Sequence, residues 1–198
     1  MSLLKSTAKQ IKPLNYNEKI VITELRADQN IVEQHKARLK QMFPNDKEQD
    51  LERKITEIVA RDNVFAAIMN IIVPSFSFDI KKEDTDRVIT DLKKLYKDVD
   101  EKNLNMIAEN VIKRDAMFVE LAKLWDIFVT DEEVKEALNG YYKVTNEPIR
   151  DFLSDQQKFD NIRNLMLADK ISKEMFGRFN YRIELKKPEA KKEEPKPA

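Results

Sequence analysis

The chain has two glycines, Gly140 and Gly177, in 198 residues, about 1% against a usual share near 7%. Glycine supplies the tight turns, bulges and close backbone approaches of sheet-rich folds. A chain almost without it is pressed toward long uninterrupted helices. The same scarcity excludes glycine loops that cradle phosphates, since G-x-G-x-x-G and Walker patterns need several glycines close together. Cysteine is absent and His35 is the single histidine. That leaves no zinc ribbon, thiol nucleophile or histidine-pair metal site.

The hydrophobic pattern agrees with the helical expectation. Ile31, Val32, His35, Leu39 and Met42 recur at helical spacing and predict a helix over Asn30–Phe43. Pro44-Asn45-Asp46 breaks it. Leu51, Ile55, Ile58, Val59, Phe65, Met69 and Ile72 form the stripe of the longest helix, Asp46–Ile72, roughly 40 Å long. A compact chain of this length has a radius of gyration of about 16 Å, so an elongated body with projecting helices is expected. Val88, Leu92, Leu95 and Val99 make a narrow seam on a helix over Asp84–Lys97, suited to one partner helix. Further helices are expected over Leu104–Phe128, Asp131–Tyr142, Glu147–Leu153 and Asp155–Phe176. Thr130 with Glu133, and Ser154 with Gln157, have capping-box spacing, and Pro148 fits a first helical turn.

Three segments read differently: Phe76–Ile80 and Phe179–Leu185 alternate, and Ile20–Thr23 is β-branched. Each is read as a short strand, with one small two-stranded ribbon the simplest pairing. The fold class is therefore all-α, an elongated helical body with arm-like helical hairpins and at most one or two very short strands. Residues 1–17 read as a flexible segment, 18–185 as one helical domain, and 186–198, rich in Lys, Glu and Pro, as a disordered tail.

Charge narrows the function classes. Lys+Arg and Asp+Glu are 36 each, for zero net charge. A general nucleic-acid binder needs a basic surplus, so none is expected. No uninterrupted apolar run approaches the ~18–20 residues of a membrane span, and the first dozen residues lack the apolar core of a secretory signal. A cytoplasmic protein with no membrane partner follows. The acidic clusters Glu83–Asp84–Asp86 and Asp131–Glu132–Glu133 stand at helix starts, where carboxylates favour the dipole. His35 shares the apolar face of its helix and reads as structural. Neither catalysis, a cofactor nor a metal is expected. The distinctive inventory is apolar: seven Met and ten Phe, several adjacent, as in Met42-Phe43 and Met117-Phe118. Flexible thioethers and aromatics on uncovered helix faces suit adaptable peptide binding.

The order of features resembles a known family. A long amphipathic helix ends in Ile-Val-Pro (Ile72–Pro74), followed by a charged seam helix and a second long helix. Then come V-T-D-E-E-V (Val129–Val134) opening a helix, a short helix over Glu147–Leu153, and N-I-R-N-L-M-L-A-D-K-I (Asn161–Ile171) before a Lys/Glu-rich tail. Over roughly Asp46–Leu185 this resembles the C-terminal chaperone domain of bacterial trigger factor, in the stand-alone form of mycoplasmas. The resemblance implies a cradle of helical arms that holds unfolded or nascent polypeptide without nucleotide. The family's ribosome-docking loop and inserted prolyl-isomerase domain have no counterpart here, so ribosome docking and isomerase activity are not expected, while weak self-association is allowed. Client contacts are expected from Met42, Phe43, Phe76, Phe78, Met117 and Phe118. The competing reading is a helical scaffold gripping one specific folded partner or another copy of itself.

Overall fold

A computed structural model describes residues 4–95 and 100–185. The chain is mostly helical, with four short strands in two two-stranded sheets. It divides into two compact units, each built from two separate segments: Met1–Asn15 with Asn70–Arg178, and Tyr16–Met69 with Phe179–Ala198. The sequence alone suggested one continuous domain over 18–185.

In the first unit, strand β1 (Thr7–Gln10) pairs antiparallel with β3 (Phe76–Asp79), Thr7 opposite Asp79 and Gln10 opposite Phe76. The amides of Ile11 and Lys12 extend the ladder to the Ser75 carbonyl, at 2.8 and 3.3 Å. Strand β1 falls inside the segment expected to be flexible. Thr-Ala-Lys-Gln carries no apolar alternation, so backbone pairing and the buried Ala8 hold it rather than a patterned face.

This ribbon and helix α3 (Lys82–Leu95) both lie on helix α4 (Glu101–Leu124). Leu104, Ala108, Ile112 and Ala116 form a buried i, i+4 stripe on α4, and Met117, Phe118, Leu121 and Ala122 are buried beside it. A single stripe covers one neighbour; burial this wide follows because α4 has a helix, a ribbon and a later helix around it. The alanines let these neighbours approach closely. Of the seam read on α3, Val88 and Leu92 are half-buried. The Leu95 side chain, Val99 and the expected end at Lys97 lie outside the described residues, as do Met1–Leu3 and the tail from Lys186.

Helix α4 ends in a Schellman turn. Asp126 is left-handed (φ 54°), and the Ile127 amide reaches back to the Ala122 carbonyl at 2.8 Å. Thr130 and Glu133 then form the expected capping box at the start of α5 (Asp131–Thr145). The next start differs from expectation. Ser154 is the last residue of the short helix α6 (Arg150–Ser154), and Asp155 caps α7 (Gln156–Arg178) through the amides of Gln157 and Lys158, at 2.9 and 3.1 Å. Pro148 precedes α6 rather than lying in its first turn. Val129, Val134, Leu138 and Phe159 form a small core here, with Phe152, Ile162 and Met166 packed against it.

In the second unit, β2 (Lys19–Ile22) runs parallel to β4 (Asn180–Ile183). The expected single ribbon is thus two ribbons of opposite sense, because β1 and β2 supply partners to β3 and β4 separately. Tyr16 stacks tilted on Phe179, ring centroids 5.3 Å apart. Helices α1 (Gln29–Met42) and α2 (Glu48–Ile72) are joined by a short turn that ion pairs secure: Lys36 to Glu48 at 2.5 Å and Lys54 to Asp46 at 2.6 Å. Residues Glu48–Ser75 are long and apolar enough to cross a bilayer by length and composition. Arg61 and Asp62 interrupt its apolar run. Its Val64, Ile68 and Ile72 are fully buried.

Candidate functional site

The six side chains expected to touch clients separate into two groups. Met42 and Phe43, at the end of α1, are exposed, 58% and 39%. Lys54 sits 3.5 Å above the Phe43 ring, a cation–π contact that leaves part of the ring in solvent. Phe78 is half-buried. Phe76, Met117 and Phe118 are buried at 5%, 0% and 6% exposure. Those three are core residues in this conformation. Phe76 lies in β3, which β1 pairs with, and Met117 and Phe118 belong to the wide buried face of α4, which α3, the ribbon and α7 surround.

Uncovered apolar surface of the first unit lies elsewhere, along shallow grooves between its helices. One of about 510 Å³ lies between the end of α5 and α6, lined by Tyr142, Pro148, Ile149 and Leu153. Tyr142 and Leu153 are each nearly half exposed, and the neighbouring Val144 is 86% exposed. A second, about 450 Å³, runs from the α4–α5 turn to α7 and is edged by the exposed Phe128. A third, about 360 Å³, lies between α4 and α7, with Phe118 and Val119 on one side and the exposed Leu165 on the other. Tyr142, Leu153, Phe128 and Leu165 were not singled out from sequence. Their signal was present for Tyr142, Phe128 and Leu153, large apolar residues beside a helix end, where a helix leaves less of itself to cover them.

Ion pairs tie α5 to α7 and edge the second groove. Arg163 pairs with Asp131 and Asp160, tying the start of α5 to α7. Lys170 donates to the Phe128 carbonyl at 2.9 Å and pairs with Glu133 at 2.6 Å. The Lys170 ammonium and the Thr130 amide hold the Glu133 carboxyl below its usual range.

Away from the grooves, Asp84 is a polar side chain buried to 2% exposure. Its Oδ2 accepts from the Ser6 amide and hydroxyl, both at 2.6 Å, and from the Lys5 amide at 2.8 Å. Arg87 donates to Oδ1 at 2.9 Å. The Ser6 hydroxyl in turn accepts from the Lys81 amide at 2.9 Å. Burial pushes the Asp84 carboxyl up, but the Ser6 and Lys5 donors and the Arg87 guanidinium outweigh it and hold the group below its ordinary value. Read from sequence as helix-start electrostatics, Asp84 is a lock between the N-terminal segment and α3. His35 is half-buried on α1. Among the described residues no group of three or more His, Asp or Glu side chains is placed to hold a metal ion.

No family model matches the sequence. The chain is 38% identical over 183 residues to the uncharacterized protein MG377 of Mycoplasma genitalium, covering 92% of this chain and 95% of that protein. It is 36% identical, with the same coverage, to an uncharacterized MG377 homolog of Mycoplasma pneumoniae. The crystal structure of the hypothetical Mycoplasma protein MPN555 superimposes with a TM-score of 0.77 at 36% identity, over 92% of this chain and 93% of that one. Identity of this level over nearly the whole of each chain, with the same fold, shows common descent: the chain belongs to the family of mycoplasma proteins that includes MG377 and MPN555.

Proposed function

We propose that the protein is a trigger-factor-like chaperone, an ATP-independent holdase that binds unfolded or nascent polypeptide on its apolar helical surfaces. The observation that carries the reading is a set of shallow grooves on one unit, each edged by a large exposed apolar side chain. One deep pocket suits one ligand of fixed shape. Several shallow apolar grooves suit a chain that offers apolar side chains at irregular intervals. Apolar contact contributes roughly 25 cal/mol per Å², and ordering an unfolded client opposes it, so each groove binds weakly and release needs no nucleotide. The even mixture of 36 basic and 36 acidic residues keeps the surface soluble without selecting clients of one charge.

The test is suppression of aggregation of a chemically denatured enzyme at near-equal molar ratio. Wild type should suppress it. Tyr142→Ser with Leu153→Ser should lose a large part of the effect, whereas changing the buried Phe76 would only unfold the protein. A wild type that neither suppresses aggregation nor binds an unfolded chain sinks the proposal. A single stoichiometric folded partner recovered in its place would favour the scaffold reading.

A further inference from the structure

We propose that the groove between α4 and α7 binds an extended stretch of polypeptide by its main chain, with the carboxamides of Asn161 and Asn164 as the hydrogen-bonding groups. The proposal rests on the holdase reading and gives it a binding mode and a place.

Asn161 and Asn164 line this groove from α7, one helical turn apart. Neither carboxamide makes a hydrogen bond among the described residues. A carboxamide offers an N–H donor and a carbonyl acceptor on one planar group, the same complement that a peptide unit presents. Lysine, arginine and carboxylates offer only one half of that complement. Three residues of helix rise about 4.5 Å, and an extended chain advances about 3.3 Å per residue. Two flexible asparagines at that separation reach peptide groups one or two residues apart.

The electrostatics of the groove select the same occupant. Its charged pair, Arg114 and Asp115, is neutralised internally, the guanidinium donating to the carboxylate at 2.9 and 2.8 Å. The groove thus carries no net charge to favour a phosphate or carboxylate ligand, and an uncharged main chain meets a wall that includes two amides. The volume of about 360 Å³ is near the lower end of the ~300–1,000 Å³ usual for ligand sites, room for a residue or two. Val119 and the exposed Leu165 supply the apolar contact for one side chain, with the buried Phe118 behind them. Main-chain hydrogen bonds carry affinity without reading sequence, so such a groove discriminates extended from folded segments rather than one sequence from another.

The experiment uses the full chain and a fluorescein-labelled, unstructured twelve-residue peptide of alternating Leu and Ser, followed by anisotropy. Asn161→Ala with Asn164→Ala should weaken binding about ten-fold, the worth of one or two hydrogen bonds. Alanine is the better helix former at both positions, so a melting temperature equal to or slightly above that of wild type is expected and separates lost contacts from lost fold. The same peptide N-methylated at alternate residues keeps its side chains and loses main-chain donors. It should bind wild type about ten-fold more weakly and show little further loss on the double variant. Equal binding of the two peptides to wild type, or an unaffected double variant, overturns the groove assignment. So does a dimer that Leu165→Asp dissociates and the peptide cannot compete, since a second copy then fills the groove. If wild type still suppresses aggregation in those cases, the holdase reading stands without this mode; if it binds no peptide and suppresses nothing, both fall.

Discussion

Asp84 exchanges charge in water for hydrogen bonds from Ser6, Lys5 and Arg87 at almost complete burial. Removing the acceptor strands buried donors, so Asp84→Ala should cost about 2–4 kcal/mol, read as a lower urea midpoint at unchanged slope. The pH dependence has a definite sign. The folded carboxyl sits below its ordinary value of 3.8, so its stabilisation is fully present above the unfolded value and is lost as pH falls through the folded one. Wild type and Asp84→Asn should therefore differ most near neutrality and converge in strong acid. A difference that stays constant down to acid would show that charge plays no part. From sequence, Asp84 was only one carboxylate in an acidic helix start. Arg87 lies one turn away, but Lys5 and Ser6 lie at the other end of a long chain loop, and no local pattern points to them.

Among elements, legibility follows how each is held. The helices are readable because their apolar residues recur at three and four, and observed ends lie within a few residues of those expected. Strand β1 is invisible because pairing with β3, not its own pattern, makes it a strand. The periodicity could not decide whether Phe76, Met117 and Phe118 fill the core or face a client, because a stripe of Met and Phe looks the same whether the protein's own elements cover it or a client does. The capping boxes divide similarly. Thr130 stands alone before its helix, whereas Ser154 is adjacent to another good cap, Asp155, and α6 claims Ser154 for its last turn. Thr130→Ala should destabilise the protein by about 1 kcal/mol. Gly140 lies inside α5 with no atom within 4 Å of where a Cβ would stand and no positive φ. Gly140→Ala should therefore stabilise by roughly 0.5–1 kcal/mol, seen as a higher melting temperature; a fall would mean that the site is occupied.

For the whole molecule, connectivity matters more than composition. Each unit is assembled from two separated segments, and β2 finds β4 only after most of the chain has been laid down between them. Pairing so distant in sequence carries a large loop-closure cost. On refolding from urea, pulsed hydrogen exchange should protect the amides of α4 before those of Lys19–Ile22 and Asn180–Ile183. Simultaneous protection would mean that both units form in one step. The overall helical class was readable from the scarcity of glycine, but this division was not, because a contact between chain ends leaves no trace in local periodicity.

The parallel pairing of β2 with β4 has a further consequence during biosynthesis. At roughly 5–20 residues per second, Lys19 leaves the ribosome on the order of ten seconds or more before Asn180, its partner in the sheet. For that interval β2 is a strand without a neighbour, and Tyr16 lacks the Phe179 ring that it stacks against in the finished fold. Every newly made copy thus passes through a stage in which extended backbone and apolar groups stand uncovered until the last strand is made.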